Sequence, residues 1–229
     1  MTRSTRRDPG PRASMPRWLL PLAGVAIVLA AAVAAILLSQ GPGTGGSSVR
    51  PSPAVRSSAA SSTGPWAPAV VEGTALPRFT GSGSDPAVGM AAPIVRGASF
   101  SGAPVTIAAD GRPKVVLFLA HWCPHCQREV PLIQAWLNGG GAPSDVDLES
   151  VVTSISADRP NYPPDAWLKR EGWTVPVIAD PTGTVADAYG LPAFPYWVLI
   201  DKTGKVQGRL VGELTITDLQ AVIGQLRGS

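Results

Sequence analysis

The residues best suited to chemistry lie in one run, His121-Trp122-Cys123-Pro124-His125-Cys126, which holds both cysteines and both histidines of the 229-residue chain. Two cysteines so close together cannot staple a fold, because the benefit of a cross-link grows with the loop it closes. Their closeness points to reversible thiol–disulfide exchange, in which the thiolate is the attacking group. A helix N-terminus favours a negative sulfur through its unpaired N–H groups and aligned peptide dipoles. The pattern therefore predicts Cys123 at a helix cap as the exposed nucleophile. Cys126, one turn inside, is expected to be more buried and to act as the resolving thiol. Pro124 and His125 lie between them. As imidazolium, His125 would stabilise the Cys123 thiolate and make the disulfide more oxidising. His121 reads as an exposed flanking side chain, with an electrostatic role as the alternative.

Other uses of the pair fit less well. Zinc needs four ligands, or three plus water, and only one tight turn of Cys and His is available. Covalent haem attachment needs a histidine after the second cysteine, where Gln127 stands. A copper site would want a distant histidine. A thiol peroxidase wants a threonine three residues before its cysteine, where Ala120 stands. No metal and no cofactor are expected.

The elements around the pair follow from hydrophobic pattern. Lys114–Ala120 is a continuous β-prone run suited to a buried central strand. Residues 124–137 carry Val130, Leu132, Ile133, Trp136 and Leu137 at helical spacing. Leu148–Ser156 reads as a strand, 164–171 as a short helix before Gly172, and Thr184–Tyr189 as a helical turn before Gly190. Tyr196–Ile200 and Lys205–Val211 flank Asp201-Lys202-Thr203-Gly204, a turn suited to a hairpin. Thr215–Leu226 is an amphipathic helix. The order β-α-β-α-β-β-α indicates an α/β fold with a mixed sheet and helices on its faces.

The N-terminal third differs in composition. Residues 18–38 form an uncharged apolar run of 21 residues, about 31 Å as a helix and close to the ~30 Å membrane core. Five arginines precede it and none follows until Arg50. That asymmetry places residues 1–17 in the cytoplasm as a basic tail and everything after Leu38 outside. A cleaved signal ending near Ala32-Val33-Ala34 is the competing reading, and both readings export the domain. Residues 39–85 are rich in Gly, Pro, Ser and Ala and read as a flexible linker spanning on the order of 35–40 Å. Trp66 and the Val70-Val71 pair are read as its sticky points, and as incidental. Residues 86–229 are the folded domain. The net charge is +3, but residues 1–50 contribute +5 and the remainder −2. A nucleic-acid-binding domain would carry the opposite distribution.

Several motifs in order resemble the TlpA/ResA-like branch of the thioredoxin superfamily, the membrane-anchored extracytoplasmic thiol–disulfide oxidoreductases. They are Val88-Gly89-Met90-Ala91-Ala92-Pro93, Val115 through Glu129-Val130-Pro131, Val177-Ile178-Ala179-Asp180 through Pro192, and Phe194-Pro195-Tyr196-Trp197-Val198-Leu199-Ile200-Asp201. The resemblance implies a thioredoxin-like three-layer α/β/α domain with a central mixed sheet. It implies that Pro195, in preference to Pro192, is the family's cis-proline. The turn would bring Phe194 beside the cysteines, where its backbone could pair with a substrate chain, and Trp122 and Phe194 would line the substrate site. Two features depart from the pattern. Phe194 stands where threonine or valine is common. Leu117 stands where thioredoxins proper bury an acid, and Glu129, on the helix, is expected to face solvent, with a proton role as the alternative.

These readings converge on an enzyme, a protein disulfide oxidoreductase of the cell envelope. The resemblance favours a reductant acting on exported proteins, for example on apocytochrome c cysteines, fed by a membrane or extracytoplasmic electron-transfer partner. The Pro124-His125 pair is that of the oxidant DsbA, which keeps a thiol-oxidant reading open. A membrane-tethered binding module without turnover is the alternative of another class.

Overall fold

The structure, a computed structural model, describes residues 66–228. The expected tail 1–17, the apolar run 18–38 and the linker up to residue 65 lie outside the described residues. Among the described residues no helix is long and apolar enough to cross a membrane. The strands are β1 (Val70–Glu72), β2 (Ile94–Ala98), β3 (Pro104–Ile107), β4 (Lys114–Leu119), β5 (Asp147–Thr153), β6 (Val177–Asp180), β7 (Tyr196–Ile200) and β8 (Val206–Val211). The helices are α1 (Pro124–Trp136), α2 (Pro164–Arg170), α3 (Thr184–Ala188) and α4 (Ile216–Arg227), and a π-type turn, Leu137–Gly141, extends α1.

Five strands form a mixed sheet in the order β6-β5-β4-β7-β8. β4, β5 and β6 are parallel, while β7 runs antiparallel to β4 and β8. Every residue of β4 is buried. Its unbroken apolar run has a simple cause, since both faces of the sheet are covered. Val115, Leu117 and Leu119 pack with Val130 and Ile133 of α1, Trp167 of α2 and Leu219 and Ile223 of α4. Val116 and Phe118 face the other way, toward Val185 and Ala188 of α3, Val95 of β2 and Ile107 of β3.

The thioredoxin-like mixed sheet is therefore present, but the second outer layer is not purely helical. It combines α3 with an antiparallel sheet, β1-β2-β3, which the sequence pattern does not predict. These strands are short and carry little alternation, so their identity comes from what they pack against. Gly97 of β2 shows why: a Cβ there would stand 2.7 Å from Ile178 Cγ2 of β6. Only glycine lets the small sheet approach that closely. β6 itself, four residues bounded by prolines, is also missing from the expected element order.

The expected linker boundary at residue 85 is corrected in the same region. Residues 66–85 belong to the domain. Trp66 sets its ring edge-on to Phe100 at 5.0 Å, Val70 and Val71 lie in β1, and Ala69 and Leu76 are buried. Leu76 N–H donates to Ala188 O (2.8 Å), and Phe79 N–H donates to Gly190 O (2.9 Å). Composition misleads here because backbone hydrogen bonds, which any residue type can make, hold the segment in place.

One buried ion pair secures that attachment. Arg209 of β8 is 5% exposed. Its guanidinium donates to both carboxylate oxygens of Asp85 and to Pro77 O (2.8 Å). The hydrogen bond from Arg209 holds the Asp85 carboxyl below its ordinary range. Removing one partner of a buried pair strands the other charge, at a cost of about 3–5 kcal/mol. Asp85→Ala is expected to lower the melting temperature by on the order of 10 °C. A thermal denaturation curve matching wild type would refute a structural role for the pair.

Candidate active site

β4 ends at Leu119, and the chain turns into α1 through Ala120–Cys123. Cys123 is the N-cap residue, with extended backbone (φ −75°, ψ 121°), and Pro124 follows at the first helical position. A proline costs nothing there, because the N–H it lacks would have no helical partner. Cys123 N–H donates to Ala120 O and Gln127 N–H to Cys123 O, both at 3.0 Å. Both cysteines are free thiols.

Cys126 is fully buried, as its position one turn into the helix predicts. Cys123, expected to be exposed, is only 5% exposed. The loop before β7 accounts for the difference: Phe194 O lies 3.9 Å from Cys123 Sγ and accepts from the thiol. The Phe194–Pro195 peptide is cis, and Pro195 is buried while Phe194 is half-buried. Trp122 meets the Phe194 ring edge-on at 5.9 Å. Its indole N–H donates to Ser154 O (2.8 Å), and the Arg159 guanidinium lies 5.0 Å from its ring centre. Trp122, Phe194, Pro195 and Cys123 therefore sit together, with Arg159 as a rim residue that the sequence pattern does not flag.

Two further expectations are overturned. Glu129 does not face solvent; it is 1% exposed. It shares the inward stripe of α1 with Cys126, Val130 and Ile133. Its Oε1 accepts from Leu214 N–H (2.6 Å), while Oε2 has no hydrogen-bond partner. Burial pushes its carboxyl up to about 8. Burial also pushes the Cys126 thiol well above its ordinary range, and the Glu129 charge adds to that shift. The buried acid thus comes from the helix, while Leu117 on β4 is an ordinary core residue. The sequence does contain the signal, because Glu129 falls three residues after Cys126 and four before Ile133, on the buried helix face.

His121 is likewise fully buried. Its Nδ1 lies 2.7 Å from Pro160 O, and its Nε2 lies 3.2 Å from Ser156 N. These partners assign the neutral tautomer with Nδ1–H donating and Nε2 accepting. Burial lowers the pKa of the ring, consistent with that form. Gln127 and Asn161 side chains donate to His121 O at 3.0 and 3.2 Å. His121 fastens the strand–helix junction to the 154–161 loop, which sequence spacing could not reveal.

His125 is exposed on the outer side of α1. Its Nδ1 contacts Glu213 Oε1 (2.5 Å) and Arg128 Nη2 (2.7 Å). The imidazole is therefore engaged with side chains from α1 and the β8–α4 connection, two partners the sequence pattern does not flag. Among the described residues no group of three or more His, Cys, Asp or Glu side chains could hold a metal ion.

The buried acid has a measurable consequence. Between the ordinary carboxyl value of 4.5 and about 8, the folded chain keeps a proton on Glu129 that the unfolded chain has released. Stability from this group therefore falls as pH rises through that window. Glu129→Gln keeps an acceptor for Leu214 N–H but cannot ionise. The variant is expected to be more stable than wild type at pH 8 by roughly 2–4 kcal/mol, and closer to it at pH 4.5. Urea denaturation at the two pH values measures this, and parallel pH dependences would refute the buried-acid assignment.

Comparison with known proteins points the same way. A family model described as Redoxin matches residues 73–223. Sporulation thiol-disulfide oxidoreductase A of Bacillus subtilis is 22% identical over 122 residues, covering 53% of this chain and 73% of that protein. Thiol-disulfide oxidoreductase ResA of Geobacillus thermodenitrificans is 29% identical over 110 residues, covering 48% of this chain and 60% of ResA. The crystal structure of StoA from Bacillus subtilis superposes with a TM-score of 0.50 at 22% identity, covering 60% of this chain and 99% of that one. At that identity the superposition speaks for the fold alone. The family match covers most of the chain and includes every residue of the site described above, so the chain belongs to the Redoxin family, as a TlpA/ResA-like protein of the thioredoxin superfamily.

Proposed function

We propose that the protein is an extracytoplasmic thiol–disulfide oxidoreductase, held to the membrane by residues 18–38, that reduces disulfides of exported proteins. The observation that carries this reading is the pairing of a capping Cys123 beside the cis Phe194–Pro195 peptide with a buried Cys126 and Glu129 behind it. The Cys123 thiolate attacks a target disulfide, one substrate sulfur leaves, and a mixed disulfide forms. Cys126 loses its proton and attacks Cys123 Sγ. The second substrate sulfur leaves as a thiol, and a Cys123–Cys126 disulfide remains. The ionised form of Glu129, a minority below its raised value of about 8, takes the Cys126 proton that burial otherwise holds in place. The Phe194 backbone and the Trp122 ring position the substrate chain, and His125 and Pro124 shape the charge at the helix start.

Substrates of this reading are exported protein disulfides such as those of apocytochrome c, with a membrane or extracytoplasmic dithiol partner restoring the reduced state. The likeness to ResA-type thiol-disulfide oxidoreductases favours the reducing direction. A strong oxidant depends on stabilising its reduced form. The Pro124-His125 pair favours the second reading, a DsbA-like thiol oxidant.

Cys123→Ser is expected to abolish insulin reduction; activity surviving in that variant would overturn the exchange chemistry at Cys123, and a wild type that reduces no insulin would leave a non-catalytic binding module. Direction is read from the reduction potential. A value near −120 mV, that of the strong oxidants, overturns the reductant reading. In Cys126→Ala, mixed disulfides are expected to accumulate on Cys123, with mass spectrometry identifying the trapped partners. The same variant in intact cells tests location, because a membrane-impermeant thiol reagent that fails to block trapping argues for a cytoplasmic domain.

A further inference from the structure

The connection from β8 to α4 touches the site three times in three residues. Gly212 N–H donates to Pro195 O (2.9 Å). The Glu213 carboxylate meets His125 and Arg128. Leu214 N–H donates to Glu129 Oε1 (2.6 Å). Glu213 is thus held on both sides by neighbours bonded into the site. Exposed ion pairs add little stability, so stability does not explain this arrangement.

Glu213 Oε1 lies 2.5 Å from both His125 Nδ1 and Arg128 Nη2. A guanidinium nitrogen can only donate. Either Nδ1–H and Arg128 both donate to Glu213, or Arg128 donates to a bare Nδ1. A carboxylate oxygen 2.5 Å from a bare Nδ1 would set acceptor against acceptor, which favours the first arrangement, and the hydrogen bonds from Arg128 and His125 hold the Glu213 carboxyl below its ordinary range. His125 Nε2 then has no partner among the described residues, on an exposed face of the helix start.

We infer that Glu213 is a positioning residue for His125: it binds Nδ1–H and leaves Nε2 to pass a proton to the substrate sulfur departing from Cys123. This rests on the dithiol exchange proposed above. When Cys126 attacks Cys123 Sγ, the Cys123–substrate bond breaks and the Cys123–Cys126 bond forms. The substrate sulfur leaves with the electron pair. An alkyl thiol has a pKa of about 8.5, so at neutral pH that sulfur gains from taking a proton as it leaves. Imidazolium Nε2–H supplies it. The neutral ring that remains keeps Nδ1–H on Glu213, and solvent returns a proton to Nε2. The opposite tautomer cannot do this, because a neutral ring with Arg128 on a bare Nδ1 has no proton to spare at Nε2.

The test compares leaving groups on the full chain. Glu213→Gln is expected to slow reduction of insulin, an alkyl disulfide, about tenfold relative to reduction of an aromatic nitrobenzoate disulfide, whose thiolate leaves without a proton. Glu213→Asp restores part of the difference. An equal effect on both substrates overturns the inference, while activity surviving in Cys123→Ser overturns the exchange chemistry itself. A second measurement needs no variant. Nitrogen NMR of histidine-labelled wild type, which contains only one other histidine, is expected to show neutral His125 as the Nδ1–H tautomer. The Nε2–H tautomer would sink the proposal.

Discussion

His121 leaves the end of β4 and turns its ring inward, where one nitrogen donates to Pro160 O and the other accepts from Ser156 N–H. That pair of bonds can be satisfied only by a neutral imidazole; a second ring proton would point at a backbone N–H. The carbonyl of the same residue collects the Gln127 and Asn161 side chains. The junction between strand and helix is therefore pinned from ring and backbone at once. The rim beside Cys123 depends on this anchor. Trp122 can reach Ser154 O, and Arg159 can lie over Trp122, only while the loop stays where His121 holds it.

From that fixed start, α1 divides its chemistry between two faces. The inward face carries Cys126 and Glu129, where burial keeps protons on groups that would otherwise release them more readily. The outward face carries His125 and Arg128, which remain in contact with water. Residues 212–214 touch both faces and the cis peptide opposite. A single short connection therefore couples the solvent-side charges, the buried acid and the cis-peptide loop without any direct contact between His125 and Glu129.

The strand, the cysteine pair and the helix after it are legible in the sequence because their signal is local: an apolar run, a spacing and a periodicity. The hairpin at Asp201–Gly204 and the C-terminal helix are legible for the same reason, the latter reinforced by the Thr215–Asp218 capping box. The elements that escape depend on distant partners. β1, β2 and β3 are defined by the sheet face they cover and by the space that Gly97 leaves for Ile178. His121 is buried by a loop some forty residues away. Glu129 misleads for a different reason: its charge suggests solvent, although the helical stripe places it inward. Glu213 has no local signal, being a lone acid in a connection whose partners lie on α1.

The unpartnered Glu129 Oε2 gives this centre a signature of its own. A protonated carboxyl in apolar surroundings vibrates apart from both backbone amides and ionised carboxylates. Its band shifts when the acidic hydrogen is replaced by deuterium, and it disappears when the proton leaves. Infrared difference spectra between the dithiol and disulfide states would therefore follow the proton through a single oscillator, without a label and without touching either sulfur.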